Sequence, residues 1–323
     1  MKAAIIGAGF ISDFHADAYL SVPNMELCAI CDINPVTAAR QAEKYHCHGY
    51  TDAKEMLCRE KPDVVSVCVP TFLHERYVLM ALAQGADVLC EKPFTLTMES
   101  ACRMQEAAQK SHRMLMTAQV LRWWPEYVEI RKQMTRLGTP LMVSTQRLQH
   151  ANNGTWLNDP QKGGGVLFDL FIHDLDFLCS ILGYEPTIEI ANGTLDKTGA
   201  YNRVFVLLHW SSGCYAKLES ANQMPVGYPF TATLRADYKE SCIQYAFEAP
   251  VNIEKDAVTK TNFLLFDKGE VQRLSCCAEA QTKAFNDEIA AFVQGVQTGV
   301  NPIPTENTLK VMKLIHQIKT HLE

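Results

Sequence analysis

Residues 62–93 read PDVVSVCVPTFLHERYVLMALAQGADVLCEKP, and this stretch decides the fold. DVVSVCV is apolar with almost no alternation, as a strand buried on both faces must be. HERYVLMALAQG repeats its apolar residues at helical spacing and stops at a glycine, and DVLCE restores the strand signature. Strand, helix and strand in that order form a parallel crossover unit. The alternation continues on both sides. Towards the N-terminus lie AAIIG, SDFHADAYLS, ELCAICD and NPVTAARQAEKYH, the last opened by an Asn34 cap with Pro35 at the first helical position. Towards the C-terminus lie TMESACRMQEAAQK and MLMTAQV. Residues 1–120 are therefore expected to form an α/β domain, a doubly wound parallel sheet covered by helices on both faces.

Beyond Trp123-Trp124-Pro125 the character changes. A helical stretch, Glu126 to Leu137, precedes an alternating run, LMVSTQRLQ, a polar loop containing Asn152, Asn153 and Gly154, and a very apolar helix from Val166 to Leu182. Six further runs carry strand signals (TIEIANGTL, VFVLLHW, CYAKLES, FTATLRA, CIQYAFE and NFLLF) close enough together to pair antiparallel. Helices from Ala278 to Gln297 and from Thr305 to His321 close the chain. Residues 121–323 thus read as a second, α+β domain, with the C-terminal helix expected to pack back on the first.

Composition narrows the function. The 323 residues are 47% hydrophobic, and 30 Lys plus Arg against 36 Asp plus Glu leave a net charge of −6, so there is no basic footprint for nucleic acid or anionic lipid. No run approaches the eighteen or so apolar residues of a membrane span, and MKAAIIGAGF is too short for a signal segment before its glycines. The twelve cysteines are scattered, many inside apolar runs, as reduced thiols of a cytoplasmic protein would be. Cys28 and Cys31 lie three apart on a strand and face opposite sides, so they read as neither chelate nor redox pair.

Three constellations carry chemistry. Gly7-Ala8-Gly9-Phe10-Ile11-Ser12 follows the first strand and opens the first helix. Gly7 there makes the tight turn and Gly9 lets a pyrophosphate approach the backbone, with Ser12 where a third glycine is usual. Asp32 ends the second strand at the position of a carboxylate that accepts from an adenine ribose hydroxyl, and no Arg follows it closely, which favours NAD over NADP. A cap of the next turn would also account for Asp32. Glu91-Lys92-Pro93 places a lysine at the carboxyl end of a parallel strand, the edge where open sheets bind ligands; proline biases Lys92 to extended backbone and permits a cis bond. A solvated loop lysine accounts for position alone equally well. In VLFDLFIHDLDFLCSIL, Asp169 and His173 are four apart on an otherwise apolar helix, Asp176 continues that face and Asp174 points elsewhere. Buried polar groups need partners or a site to line, though an i,i+4 pair can also satisfy itself. The set is poor for zinc, and no metal is expected.

Taken together, IIGAGFIS, CDINP, residues 62–93, QVLRWWPEY, GGGVLFDLFIHDLDFL and EIAAFVQGVQTGVNPIPTENTLKVM resemble the GFO/IDH/MocA family of NAD(P)-dependent oxidoreductases over nearly the whole chain. The resemblance implies a Rossmann domain followed by an open, mostly antiparallel sheet that carries substrate and oligomer contacts, hence a homo-oligomer, dimer or tetramer. It implies that Gly7, Gly9, Phe10 and Ile11 form the pyrophosphate loop, that Asp32 is the ribose acceptor, and that Pro70, Thr71 and His74 lie beside the nicotinamide ribose. Glu91-Lys92-Pro93 matches the family's EKP signature, which implies that Glu91 is among the cofactor contacts. Lys92 is then at the reacting centre with Asp169 and His173 as the substrate-binding and acid/base pair, and Arg122 resembles a residue that reaches the active site. Phe171 departs from a usual glycine, and ADYKESCIQY replaces a glycine-rich hairpin.

The expected reaction is hydride transfer between NAD and a secondary alcohol of a sugar, inositol or polyol, with His173 taking the hydroxyl proton, Lys92 polarising the oxygen and Asp169 orienting the substrate. Asn152, Trp156 and Tyr228, the last placed in the sheet, are candidates for the remaining hydroxyls. Arg122, Arg147 and His150 hint at an acidic or phosphorylated group, as a solvated face would also explain. A non-catalytic NAD-binding sensor on the same fold is the alternative, and it has no chemical need for Lys92, Asp169 and His173.

Overall fold

The computed structural model describes residues 1–150, 156–250 and 258–322. They divide into two compact units, one of residues 1–123 with 282–312, the other of residues 124–281 with 313–323.

In the first unit, β1 (Lys2–Ile6), α1 (Phe10–Ser21), β2 (Glu26–Cys31), α2 (Pro35–Tyr45), β3 (His48–Tyr50), α3 (Ala53–Glu60), β4 (Val64–Val67), α4 (His74–Ala83), β5 (Asp87–Cys90), α5 (Met98–Ser111) and β6 (Leu115–Thr117) follow one another. The sheet order is β3-β2-β1-β4-β5-β6 and every pairing is parallel. This is the Rossmann arrangement, with the order reversing beside β1. The helices start where the sequence supplies acceptors. Asn34 accepts from the amides of Val36 and Thr37, Asp52 from Glu55, and Thr97 from Ser100. β3 and α3 are additional to the expected five-strand pattern. β3 is short and largely exposed, so no apolar run announces it.

The remaining elements are α6 (Pro125–Leu137), β7 (Met142–His150), α7 (Val166–Asp169), α8 (Phe171–Leu182), β8 (Thr187–Leu195), β9 (Tyr201–His209), β10 (Tyr215–Met224), β11 (Phe230–Asp237), β12 (Ser241–Ala249), β13 (Lys260–Asp267), β14 (Glu270–Arg273), α9 (Ala280–Thr298) and α10 (Thr305–Leu322). Strands β7 to β14 form one sheet in the order β14-β13-β12-β11-β7-β10-β9-β8. All pairings are antiparallel except β7 with β10, which run parallel because α7, α8 and two strands intervene between them in sequence.

A boundary at residue 120 would assign α9 to the second domain, but its apolar face decides otherwise. Phe285, Ile289, Phe292, Val293 and Ile303 share a core cluster with Ala3, Ile5, Phe14 and Ile30. The Phe14 and Phe285 rings stack at 4.8 Å. Asn301 and Thr305 both donate to the Leu115 carbonyl, at 3.0 and 2.8 Å, which ties the start of α10 to β6. Burial of each such phenylalanine stabilises by roughly 1.5–3 kcal/mol.

Candidate active site

Every residue expected to hold the cofactor follows the carboxyl end of a strand in the parallel sheet. Gly7 to Ile11 follow β1, Asp32 follows β2, Pro70, Thr71 and His74 follow β4, and Glu91 and Lys92 follow β5, while Arg122 follows β6 in a short 3-10 turn. One parallel sheet therefore brings them to a single edge, where open α/β sheets bind ligands.

Gly7 takes φ +99°, and its amide donates to the Cys31 carbonyl at 2.8 Å. A Cβ there would fall inside the Cys68 carbonyl, so no side chain fits. At Gly9 the opposite holds, for a Cβ would meet nothing within 4 Å. Gly9 is the N-cap of α1 and supplies no side chain to cap the first amides of the helix, of which that of Ser12 turns back to the Gly9 carbonyl at 3.2 Å. A pyrophosphate fits this cradle, which has no side chain in the way and a helix dipole behind it. Phe10 is exposed and Ile11 half-buried beside it. Asp32 is half-buried; one oxygen accepts from the Ala8 amide at 2.9 Å and the other from Asn34 at 2.8 Å. It thus both braces the glycine loop and turns the chain into α2, and it presents a carboxylate at the edge where a ribose hydroxyl would donate.

The β4 and β5 edge differs from expectation in two places. His74, expected beside the nicotinamide ribose, is 1% exposed. Nε2 lies 2.9 Å from the Val69 carbonyl, and Nδ1 lies 3.0 and 3.2 Å from the carbonyls of Pro93 and Phe94. The imidazole is a brace between two loops. Burial pulls it below its ordinary titration range against the pull of those carbonyls. Glu91, expected among the cofactor contacts, has both oxygens occupied within the protein, Oε1 at 2.9 Å from His15 Nε2 and Oε2 accepting from the Lys92 amide at 3.0 Å. Burial pushes the carboxyl up, but the hydrogen bond and charge of His15, aided by Lys92, hold it below the usual range. Pro70 is half-buried and Thr71 buried. Lys92 is half-buried between the buried Glu91 and Pro93, and the Lys92–Pro93 bond is cis.

In the second unit, the apolar helix expected as one piece is interrupted at Leu170, with α7 ending at Asp169 and α8 beginning at Phe171. Leu170 has φ −97°, and the His173 amide donates to the Leu170 carbonyl, a 3-10 spacing that tightens the chain between the two. From Gly165 to Cys179 every residue is buried except Asp169 and His173. The pair therefore opens to one side of a segment that is otherwise core. Phe171, in place of the usual glycine, is fully buried and fills the far side. Asp174 and Asp176 are 1% and 2% exposed. Gly165, at φ +70°, lets α7 begin against β9, since a Cβ would stand 2.6 Å from the Tyr201 carbonyl.

The other candidate residues scatter. Trp156, 37% exposed, lines a cavity of about 590 Å³ with Asn158, Asp159, Pro160, Lys162 and Thr198. Tyr228 is not in the sheet. Its amide donates to the Pro225 carbonyl at 3.0 Å, closing a turn between β10 and β11 that Gly227 permits at φ +87°. Asn152 lies outside the described residues. Arg147, expected near an acidic substrate, is buried against Asp174 and Tyr127 and has no charge to offer a ligand. The pair Cys28 and Cys31 is inert, since burial pushes both thiols up to about 12, and all twelve cysteines are free. Among the described residues no cluster of His, Cys, Asp and Glu could hold a metal, and no helix is long and apolar enough to cross a membrane.

Residues 1–119 match the model of the GFO/IDH/MocA oxidoreductase family, NAD-binding Rossmann fold, and residues 129–238 match the GFO/IDH/MocA C-terminal domain. The chain belongs to the GFO/IDH/MocA family of oxidoreductases. It is 33% identical over 227 residues to D-glucoside 3-dehydrogenase of Escherichia coli, covering 68% of this chain and 65% of that protein, just under two thirds of the relative's length. Inositol 2-dehydrogenase of Rhizobium meliloti is 26% identical over 320 residues, 95% of this chain and 92% of the relative. In solved structures the same fold recurs in UDP-N-acetylglucosamine 3-dehydrogenase from Acidithiobacillus ferrooxidans, with a TM-score of 0.82 at 22% identity, covering 100% and 98% of the two chains. It recurs too in a 3-ketoreductase from Actinomadura kijaniata in complex with NADP and TDP-benzene, with a TM-score of 0.86 at 19% identity and the same coverage. The two relatives matched by sequence are thus named as dehydrogenases of a D-glucoside and of inositol.

Proposed function

We propose that the protein transfers a hydride between NAD and a secondary alcohol of a sugar, inositol or related polyol. Two observations support this reading, one in each unit. Asp169 and His173 are the two side chains left open on a buried helical segment, and Gly9 is unobstructed at the N-terminus of α1. Gly7, Gly9, Phe10 and Ile11 would hold the pyrophosphate, Asp32 the adenine ribose, and Pro70 and Thr71 the nicotinamide ribose. When bound, the nicotinamide supplies the hydride chemistry.

The chain's own groups supply the rest. His173 removes the hydroxyl proton in oxidation and returns it in reduction, work suited to an imidazole, whose ring nitrogens can each accept or donate a proton. Lys92 donates to the same oxygen and offsets the negative charge that develops there. Asp169 accepts from a neighbouring hydroxyl and fixes the reacting carbon, with Trp156 and Arg122 as outer contacts. Asp32 favours NAD, since its carboxylate repels a 2′-phosphate. We also infer a homo-oligomer, built on the sheet face where Ser144, Gln146, Lys217, Thr233, Arg235 and Gln244 line an open depression of about 330 Å³. Light scattering giving a monomer mass would exclude that assembly.

Replacing Lys92 or His173 by alanine tests the roles. Each variant is expected to lose turnover by a factor of about 10²–10⁴. NADH affinity should stay within about threefold of wild type. Near-normal turnover in either variant would remove that residue from the chemistry.

A further inference from the structure

Behind Lys92 runs a buried chain of hydrogen bonds that the reaction itself does not use. Tyr19 Oη lies 2.9 Å from Ser66 Oγ, Ser66 Oγ 2.9 Å from His15 Nδ1, and His15 Nε2 2.9 Å from Glu91 Oε1. Glu91 Oε2 accepts from the Lys92 amide at 3.0 Å. Tyr19, Ser66 and His15 are fully buried and Glu91 is 8% exposed. The Glu91 carboxylate only accepts, so His15 Nε2 carries a proton and donates to it. Nδ1 pairs with Ser66 and Ser66 with Tyr19, with the donor at those two contacts set by the protonation of the ring. A serine, a histidine and a carboxylate in a row have the composition of a hydrolytic triad, but Ser66 has no exposed surface by which a substrate could reach it. What the chain does reach is the main chain at Lys92.

We infer that His15 is a positioning residue for Lys92, acting through the Glu91 carboxylate to fix the Lys92 amide at the carboxyl edge of β5. The inference rests on the role proposed above for Lys92. Three features carry it. His15 sits on α1, one turn beyond the glycine loop, and Glu91 follows β5, so a single imidazole couples the helix that faces the dinucleotide to the strand end that bears the lysine. Lys92 is half-buried between buried neighbours, so the direction of its backbone sets where its side chain leaves the strand end. His74 clamps the following carbonyls of Pro93 and Phe94 from the other side, which leaves the Lys92 amide as the point still to be fixed. A fully satisfied buried network of this kind is rigid, and a partly satisfied one is not.

The test compares two polar replacements. His15→Gln can still place an amide N–H near Glu91, whereas His15→Asn is one carbon shorter and stops at Ser66. In His15→Asn, amide exchange of the segment containing Lys92, followed by mass spectrometry, is expected to rise at least tenfold. NADH affinity should change less than twofold, and kcat should fall at least tenfold with KM within threefold. His15→Gln is expected to restore both exchange and kcat to within threefold of wild type. In a Lys92→Ala background the two His15 variants should have equal kcat, because the group they orient is gone. Wild-type exchange at Lys92 in His15→Asn would overturn the inference, and so would an undiminished further loss in the Lys92→Ala background. Wild-type turnover of Lys92→Ala alone would instead overturn the role given to Lys92, while leaving the exchange result to stand as a structural coupling.

Discussion

Arg147 and Asp174 form a two-pronged ion pair in the interior of the second unit, Nε to Oδ2 at 3.1 Å and Nη2 to Oδ1 at 2.8 Å, with side chains 6% and 2% exposed. Tyr127 Oη accepts a third bond from Arg147 at 3.1 Å. The pair explains how three aspartates close together on one apolar segment come to differ. Asp174 is a bolt between α8 and β7, Asp176 is buried, and Asp169 alone opens outward.

Breaking that bolt should cost stability and not chemistry. Arg147→Met leaves Asp174 as a buried, uncompensated charge and is expected to destabilise by about 3–5 kcal/mol in urea unfolding. Asp169→Asn, at a half-buried position, should stay within about 1 kcal/mol of wild type while losing turnover. The reverse ranking would mean that the structural and functional aspartates have been exchanged.

The two glycines of the phosphate loop should separate in the same way. Gly7→Ala forces a side chain into φ +99° and into the Cys68 carbonyl, and is expected to lose at least ~2 kcal/mol of stability. Gly9→Ala meets nothing within 4 Å. It should fold within about 0.5 kcal/mol of wild type yet bind NADH at least tenfold more weakly, as titrated by fluorescence quenching. Undiminished binding by Gly9→Ala would show that the open space above it is not the pyrophosphate site.

Acid should weaken the protein partly through Glu91. Its native titration lies below the ordinary value of 4.5 because His15 and Lys92 outweigh the effect of burial. The unfolded chain therefore takes up the proton first. The stabilisation is complete above about pH 5 and is lost as pH falls through 4.5 and then through the lower native value. The gap in thermal midpoint between wild type and Glu91→Gln should accordingly shrink from pH 6 to pH 3.5. A gap independent of pH over that range would show that the charge of Glu91 is not what the network holds.

Cofactor choice should turn on one charge. Asp32→Asn keeps a side-chain acceptor for one of the two amides, Ala8 or Asn34, and removes the negative charge from the ribose edge. The ratio of kcat/KM with NADP to that with NAD is expected to rise at least tenfold, about 1.4 kcal/mol. An unchanged ratio would place the discrimination elsewhere.

Both domains were legible in the sequence because their strands announce themselves. Continuous apolar runs such as DVVSVCV and alternating ones such as TIEIANGTL separate a buried parallel strand from a half-covered antiparallel one. β3 escapes the reading because its three largely exposed residues bury too little to leave a pattern, and α3 because its eight residues bury only Ala53, Met56 and Leu57. The break at Leu170 was missed because an apolar run looks the same whether the helix is continuous or tightened by one 3-10 bond. Lys92, Asp169 and His173 stood out because a polar group is conspicuous against strand or core. His15 did not. It is one polar residue on an amphipathic helix, and its meaning depends on Ser66 and Glu91, 51 and 76 residues away. Arg147 misled for the same reason, since only the fold brings Asp174 to it.

The central claim, that this chain oxidises a carbinol carbon of a polyhydroxylated substrate with NAD, is tested most directly by initial rates of NADH formation. Inositols, glucosides, aldoses, uronic acids and sugar alcohols would be offered in turn, with NAD and separately with NADP, to the wild-type protein and to Lys92→Ala. The expected result is turnover of at least one member of the panel with NAD in preference to NADP, abolished in Lys92→Ala. NADH binding in the micromolar range without turnover of any member, in either direction, would contradict it and leave a dinucleotide-binding protein that does no chemistry on sugars.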